Sequence, residues 1–385
     1  MKILTSQQLI GSFADWPSHM QRSIELAATV FNTTPNPRVG CVIVKDGQIV
    51  GEGWHSAAGQ KHAEIVALER AGELANSSTA FVSLEPCAHT GRTPPCTKAL
   101  ISAGIGQVVI ASVDPDERVS GRGIAALESA NIEVFQLKDF DEKARAINPG
   151  FFKRHELGVP FVRLKLAMSI DGRTALSNGE SKWITSAEAR RDVQKLRAKS
   201  CAIVTGMGTV LLDNPALTVR TKELGLDEEQ LEKNKISLSE GPIRVVVGDH
   251  KKIPDTAKII ATPGSVKLFT SRSNAGEVKY ANNVEVIPVD SDQERVNLRS
   301  VLVFLASQTK CNEVLVEAGP TLSAEFIKRK LVDEFIVYSA PKILGSDSRP
   351  LISLTGLSSL DEAINFSIKE VTEVGSDIKT TFIPN

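Results

Sequence analysis

The sequence predicts an α/β protein of two domains, on three observations. Its 385 residues exceed what one hydrophobic core usually organises. Apolar runs of strand length alternate with stretches of helical period along the whole chain. A charged stretch, Lys153-Arg154-His155-Glu156, is closed by Gly158 and Pro160 before a new apolar run starts at Phe161. The boundary therefore falls near residue 158, giving domains over 1–157 and 158–385.

In the first domain, Met20, Ile24, Ala27, Ala28 and Phe31 recur at helical spacing between Trp16 and Phe31, and Pro35 and Pro37 end that helix. Asp46-Gly47 between the apolar runs 41–45 and 48–54 is a hairpin signal. Helices follow over 62–74, 97–103 and 123–130, alternating with strands over 79–84, 107–112 and 132–135. In the second domain, strands are expected over 161–166, 201–205, 243–247, 266–270, 284–289, 313–316 and 334–339. Thr185 and Glu188 have the capping-box spacing for a helix running through Arg197. Residues 221–240 are polar and rich in Lys and Glu, and read as a solvated excursion.

Composition narrows the function classes. With 42% hydrophobic and 24% charged residues and a net charge of -1, the chain is an ordinary soluble type with no global field for nucleic acid or an anionic membrane. No apolar run approaches bilayer length and no secretory leader is apparent, so a cytoplasmic protein is expected. The five cysteines are too sparse for a disulfide framework. Cys41, Cys201 and Cys311 sit in or beside Val/Ile-rich stretches and read as core residues.

Cys87 and Cys96 differ, because each follows proline where a helix could begin, and a helix start favours thiolate. With His62 they supply three zinc ligands and leave a fourth position for water. Zinc lowers the pKa of bound water from about 15.7 to about 7, which suits attack on an aromatic amine carbon. Glu64, two residues beyond His62 and in the same first helical turn, can carry the proton without being a ligand. The order His-x-Glu, strand, Pro-Cys, Cys matches the nucleobase zinc-deaminase signature, although eight residues separate the cysteines where that signature has two. A closed structural zinc site would need a fourth ligand, and only His89 lies in the loop.

The stretches 34–40 (TPNPRVG), 62–64 (HAE) and 84–96 (LEPCAHTGRTPPC) resemble the riboflavin-biosynthesis deaminase family. The resemblance implies a cytidine-deaminase-like α/β/α fold and hydrolysis of the 2-amino group of a phosphoribosylaminopyrimidine. It also implies that Asn36 contacts that substrate. In 114–123, Asp116 and Glu117 replace that family's usual Asn-Pro pair.

In the second domain, Gly206-Met207-Gly208 follows a strand, but Leu211 stands where a dinucleotide fingerprint needs its third glycine. Val316-Glu317-Ala318-Gly319-Pro320-Thr321 ends a strand in a turn and opens a helix whose amides can meet phosphate. With 164–173, 179–185, 213–220 and 340–345, it resembles the reductase half of the bifunctional riboflavin enzymes. That resemblance implies a dihydrofolate-reductase-like fold with NADPH contacts at Ala167, Trp183, Thr209, Asp213 and Gly319. It places Ser181, Arg197, Leu217, Arg220 and Glu317 on substrate, where the two arginines suit a ribose phosphate and Glu317 suits ribose hydroxyls. Lys165 is a further candidate near substrate, and Gly248-Asp249 stands where the family commonly has Asp at the strand end.

The sequence thus points to a cytoplasmic Zn2+ enzyme with a small-molecule substrate and neither nucleic-acid nor membrane partners, and the resemblance implies NADPH as the second cofactor and a homo-oligomer (dimer or tetramer). The alternative is a zinc nucleoside or tRNA-base deaminase carrying an appended binding domain.

Overall fold

The computed structural model describes residues 1–9, 11–90, 94–274, 276, 280–292 and 295–385. It divides into two compact units, Met1–Leu157 with Asp227–Ser237, and Gly158–Leu226 with Leu238–Asn385.

The first unit holds a six-stranded sheet. Its strands are β1 (Lys2–Leu4), β2 (Gly40–Lys45), β3 (Gln48–Trp54), β4 (Thr79–Val82), β5 (Gln107–Ile110) and β6 (Glu133–Leu137), in the order β1-β6-β5-β4-β2-β3. The hairpin β2–β3 is antiparallel as its Asp-Gly turn requires, whereas β4, β5 and β6 run parallel through helical crossovers. Side chains alternate across the sheet, so Cys41 and Ile43 face one core and Val42 and Val44 the other. Helices α2 (Ala63–Ala71), α3 (Cys96–Ser102) and α4 (Arg122–Ser129) cover the first face. Helices α1 (Trp16–Ala28) and α5 (Asp141–Ile147) cover the second, and α6 (Pro149–Leu157) ends where Gly158 adopts a φ of +70°. The result is an α/β/α sandwich.

Helix α2 presents Ala63, Ala67 and Ala71 to β3, which answers with Gly51 and Gly53. A Cβ on Gly51 would stand 2.3 Å from the Ala67 carbonyl oxygen, and one on Gly53 2.1 Å from that of Ala63. Any side chain there would push the helix away.

The second unit is built on strands β7 (Phe161–Ser169), β8 (Ala202–Gly206), β9 (Ile243–Val247), β10 (Val266–Ser271), β11 (Val284–Val289), β12 (Glu313–Val316), β13 (Glu334–Ala340), β14 (Phe366–Val374) and β15 (Asp377–Pro384). They form one sheet in the order β11-β10-β9-β8-β12-β7-β13-β15-β14. The chain starts mid-sheet at β7, runs outward from β8 to β11, then returns to insert β12 between β7 and β8. Residues alternate between two cores here too, with Val204, Val245 and Val316 on one face and Ile203, Val246 and Leu315 on the other. Helices α7 (Ala187–Lys199) and α8 (Met207–Asp213) lie on one side, and α11 (Leu298–Gln308) and α12 (Pro320–Lys328) pack on the other.

Three expectations change. Helix α7 is capped by Ser186 rather than Thr185: the Ser186 hydroxyl accepts the Ala189 N–H at 3.1 Å, and Asp377 accepts the Ser186 N–H at 2.7 Å. Residues 221–240 are not simply a solvated excursion. They form short helices α9 (Glu228–Lys233) and α10 (Lys235–Glu240), between which Asn234 is only 1% exposed. The β14–β15 hairpin has no counterpart in the expected strands, because β14 interleaves Lys369, Glu370 and Glu373 with apolar residues and is exposed along nearly its whole length. Cys41, Cys201 and Cys311 are buried, and the Cys201 sulfur accepts the Asn312 and Glu313 N–H groups, both at 3.2 Å.

One buried charge organises the centre of the second sheet. Arg163 on β7 donates to Glu313 on β12 and, at 2.7 Å, to Glu334 on β13. Against its burial, Arg163 and Lys369 hold the Glu334 carboxyl below its ordinary range, so its contribution is full at neutral pH and fades as pH falls below 4.5. Replacing Arg163 by Leu strands two buried carboxylates. The unfolding free energy from a denaturant titration at pH 7 should fall by about 3–5 kcal/mol, and the loss should shrink in acid as the carboxylates protonate.

Candidate functional site

The close seating of α2 on β3 fixes where its N-terminus points. His62 is the N-cap, extended at φ -73° and ψ 161°, and Glu64 lies in the first turn with 3% exposure. Cys96 is the first residue of α3 after Pro95, as the Pro-Cys pattern suggested. Cys87 does not begin a helix. It lies in the loop after β4, where its sulfur accepts the Cys96 N–H at 3.4 Å and its carbonyl accepts that of Thr97 at 3.2 Å. The start of α3 thus serves both sulfurs.

The ligand atoms of His62, Cys87 and Cys96 all lie within 4.8 Å of one another. His62 Nδ1 is 3.6 Å from Cys87 Sγ and 3.2 Å from Cys96 Sγ. A tetrahedral zinc with bonds of about 2.3 Å to sulfur and about 2.0–2.1 Å to nitrogen sets such atoms about 3.5 Å apart, so the donor set fits that ion. The Cys96 thiol and the His62 ring hold the Cys87 thiol down to about 4, while the same proximity and burial push Cys96 up. Two sulfurs this close cannot both ionise unless a cation stands between them. Burial pushes the Glu64 carboxyl above its usual range. His89 is outside the three-residue cluster found among the described residues, and Gly91, Arg92 and Thr93 of the loop motif lie outside those residues.

Asn36 approaches this cluster through a residue that sequence reasoning missed. Its Nδ2 donates to His55 Nε2 at 3.0 Å, and the His55 ring lies 5.0 Å from that of His62. Burial lowers His55 to about 4, so it is neutral, with Nδ1–H donating to the Lys61 carbonyl at 3.0 Å and Nε2 free to accept. The only clue in the sequence was a histidine at a strand end. Glu85 anchors the loop before Cys87, accepting the N–H groups of Gly121, Gly123, Ile124 and Asp114 at 2.9–3.4 Å. Asp116, at the departure from the family pattern, is held down to about 2 against its burial by Arg118.

In the second unit, a cavity of about 820 Å³ opens at the carboxyl ends of β7, β8, β9 and β12, beside the inserted strand. Eight of the residues expected there line it: Ala167, Thr209, Asp213 and Gly319, with Ser181, Arg197, Leu217 and Glu317. Gly319 caps α12 and donates its N–H to Thr209 Oγ1 at 3.1 Å, which joins the starts of α8 and α12. Gly248 and Asp249 line it as well. The φ of +143° at Gly248, with Met207 3.1 Å from where a Cβ would stand, explains glycine at that position.

Two expected residues are not in the lining. Trp183 is 57% exposed beneath the Arg190 guanidinium, 4.4 Å from its ring, and Arg220 pairs with Glu223 at 3.0 Å. Arg197 and Glu317, both in the lining, bind each other. Arg197 donates twice to Glu317, at 2.6 and 3.0 Å, and to the Thr218 carbonyl at 3.0 Å. Against burial, Arg197, Lys165 and Arg220 hold Glu317 below the usual carboxylate range. Burial pushes the Lys165 ammonium down, and it lines the same cavity. Asp171 serves a turn: it accepts from the Ser169 hydroxyl and from the Leu344 and Gly345 N–H groups.

Comparison with known proteins agrees with both halves. The family described as cytidine and deoxycytidylate deaminase zinc-binding region matches residues 16–112, and the RibD C-terminal domain family matches residues 160–380. The chain is 46% identical to the riboflavin biosynthesis protein RibD of Escherichia coli, over 94% of this chain and 97% of that protein. The solved RibD of Acinetobacter baumannii superposes with a TM-score of 0.84 at 40% identity, covering 96% of this chain and 98% of that one. A Thermotoga maritima structure described as a diaminohydroxyphosphoribosylaminopyrimidine deaminase/5-amino-6-(5-phosphoribosylamino)uracil reductase gives 0.82 at 33% identity, covering 96% and 99%. Among the described residues no helix is long and apolar enough to cross a membrane. With a zinc-binding deaminase unit and a reductase unit on one chain, this protein belongs to the RibD family of bifunctional riboflavin-biosynthesis enzymes.

Proposed function

We propose that the first unit hydrolyses 2,5-diamino-6-(5-phosphoribosylamino)pyrimidin-4(3H)-one to 5-amino-6-(5-phosphoribosylamino)uracil and ammonia, and that the second reduces the ribosyl group of that product to ribityl with NADPH. The deaminase half rests on the convergence of His62, Cys87 and Cys96 beside the buried Glu64. His62, Cys87 and Cys96 would hold a zinc ion, which would supply the acidity that activates the attacking water. Glu64, kept out of bulk solvent, carries one proton of that water to the ring nitrogen and then the proton of the newly formed hydroxyl to the amino group, which leaves as ammonia as the carbonyl forms. Asn36 orients the pyrimidine, and the neutral His55 holds the Asn36 amide through its Nδ2.

For the reductase half, the cavity residues would hold NADPH, which when bound would supply the hydride for the ribose C1'. The joined starts of α8 and α12 offer backbone N–H groups to cofactor phosphates, with Thr209, Asp213 and Gly319 as cofactor contacts and Ala167 beside them. Trp183 and Arg220 reach ligand only from the rim. Because Arg197 is bound to Glu317, its part is to aim that carboxylate at the ribose hydroxyls, while Ser181 and Leu217 shape the wall. Lys165, with its proton loosened by burial next to Glu317, delivers a proton to the ribose ring oxygen as the ring opens. The enzyme works in the cytoplasm as a homo-oligomer. The exposed edge strand β14, with Ile368 66% and Val371 57% exposed, supports self-association through the second unit.

Glu64→Gln should retain zinc by metal analysis and lose about 10²–10⁴ in ammonia release; ammonia release at the parent rate refutes the proton-carrier role. Lys165→Met should slow NADPH oxidation on the deaminated product by about 10²-fold or more while ammonia release from the diamino substrate is unchanged. Light scattering on Ile368→Glu, Val371→Glu protein should report a smaller assembly than the parent, and an identical mass for both moves the interface away from β14.

A further inference from the structure

Residues 227–237 lie between two stretches of the second unit in sequence and belong to the first unit in space. The segment folds locally for clear reasons. Asp227 accepts the Gln230 N–H at 2.8 Å and Gln230 returns a bond to the Asp227 N–H, a capping box that starts α9. At the far end of α9 stands Asn234, and it is this polar residue, not an apolar one, that the segment buries.

Every hydrogen-bonding atom of the Asn234 amide is used. Its oxygen accepts the Phe31 N–H at 2.7 Å, and its nitrogen donates to the Thr29 carbonyl at 3.0 Å and the Gln230 carbonyl at 2.9 Å. Thr29 and Phe31 are where the chain leaves α1 and enters the turn that carries Asn36. That turn closes a few residues on, where the Asn36 N–H donates to the Thr33 carbonyl at 3.0 Å. The preceding residue, Lys233, makes a second contact: its ammonium sits 4.6 Å from the Trp54 ring centroid, with Arg70 at 4.7 Å from the same ring. Trp54 is the last residue of β3, and the next residue is His55. Asn234 and Lys233 therefore hold the two chain segments whose side chains meet in the Asn36–His55 hydrogen bond.

We infer that Asn234, assisted by Lys233, is a positioning residue for deamination: it acts through the Asn36 turn and Trp54-His55 to set the substrate-orienting amide. The deaminase site is thus completed by residues encoded within the reductase part of the chain. This inference rests on the reading of Asn36 as a substrate contact. The Asn234 amide bonds Phe31, Thr29 and Gln230 and not the zinc-site residues or Glu64, so its effect falls on substrate binding more than on turnover.

The test uses the full-length, zinc-loaded enzyme with the diaminopyrimidine substrate, measuring kcat and KM for ammonia release, zinc content, and NADPH oxidation on the deaminated product. Asn234→Ala should raise the deaminase KM about tenfold, with kcat changed less than about threefold and zinc and reductase rate unaltered. Asn234→Asp keeps the acceptor for Phe31 N–H and should recover part of that loss. A parental KM in Asn234→Ala overturns the inference, as does a fall in kcat accompanied by lost zinc. Should Asn234→Ala fail to fold, Lys233→Met carries the same test with an expected rise of about threefold, and a parental KM there overturns it. Asn36→Ala separates the two claims. A parental KM in that variant removes the substrate role of Asn36, whereas a raised KM there with a parental KM in Asn234→Ala removes only the positioning role.

Discussion

Helix α2 rests against β3 at a separation that only glycine permits, and the metal cluster depends on that contact. Ala63 and Ala67 bring their carbonyl oxygens to within about 2 Å of where side chains on Gly53 and Gly51 would begin. Because the helix cannot back away or slide without losing this fit, the direction of its first turn is set, and His62 and Glu64 are aimed together. The sulfurs are brought to the same point by a different device, the start of α3, whose first N–H caps Cys87 while its first side chain is Cys96. A rigid helix seat on one side and a helix start on the other leave three soft donors facing each other across a few ångströms.

The second unit solves a different problem, the placement of buried charge, and Arg163 in the sheet and Arg197 on α7 show two outcomes of it. At Arg163 the guanidinium is flanked by two glutamates on neighbouring strands, which satisfies it and leaves nothing to offer a ligand. At Arg197 the guanidinium is matched by Glu317, but Lys165 is added, and the group opens on a cavity. The first arrangement is complete in itself; the second carries an additional cation beside a carboxylate at the wall of a large cleft. That surplus, more than the presence of buried ions, distinguishes a site from a brace.

Much of this was legible in the sequence where the signal is local. Strand and helix order followed from hydrophobic period, and Ile243–Val247 and Glu313–Val316 appear as their Val-rich runs suggested. The grouping of His62, Cys87 and Cys96 was legible because its spacing and proline context are unusual. What escaped was settled by partners far away in the chain. Nothing near Arg197 says that Glu317 will occupy its guanidinium, and nothing near Asn234 says that the Phe31 N–H awaits it. His55 gave no sign beyond its identity, since its role depends on Asn36 and on a burial that only the fold creates. The β14–β15 hairpin hid behind charged residues because β14 has no buried face to impose a pattern of alternation.

The split of the first unit between residues 1–157 and 227–237 bears on the order in which the protein is made. A ribosome adding about 5–20 residues per second needs about 4–16 s to pass from residue 157 to residue 237. Through that interval residues 1–157 have been made, yet Trp54 lacks Lys233 and the Phe31 N–H lacks its acceptor. The half of the enzyme that is synthesised first is therefore finished only after the second half is well under way, because its contacts at Trp54 and Phe31 wait for Lys233 and Asn234.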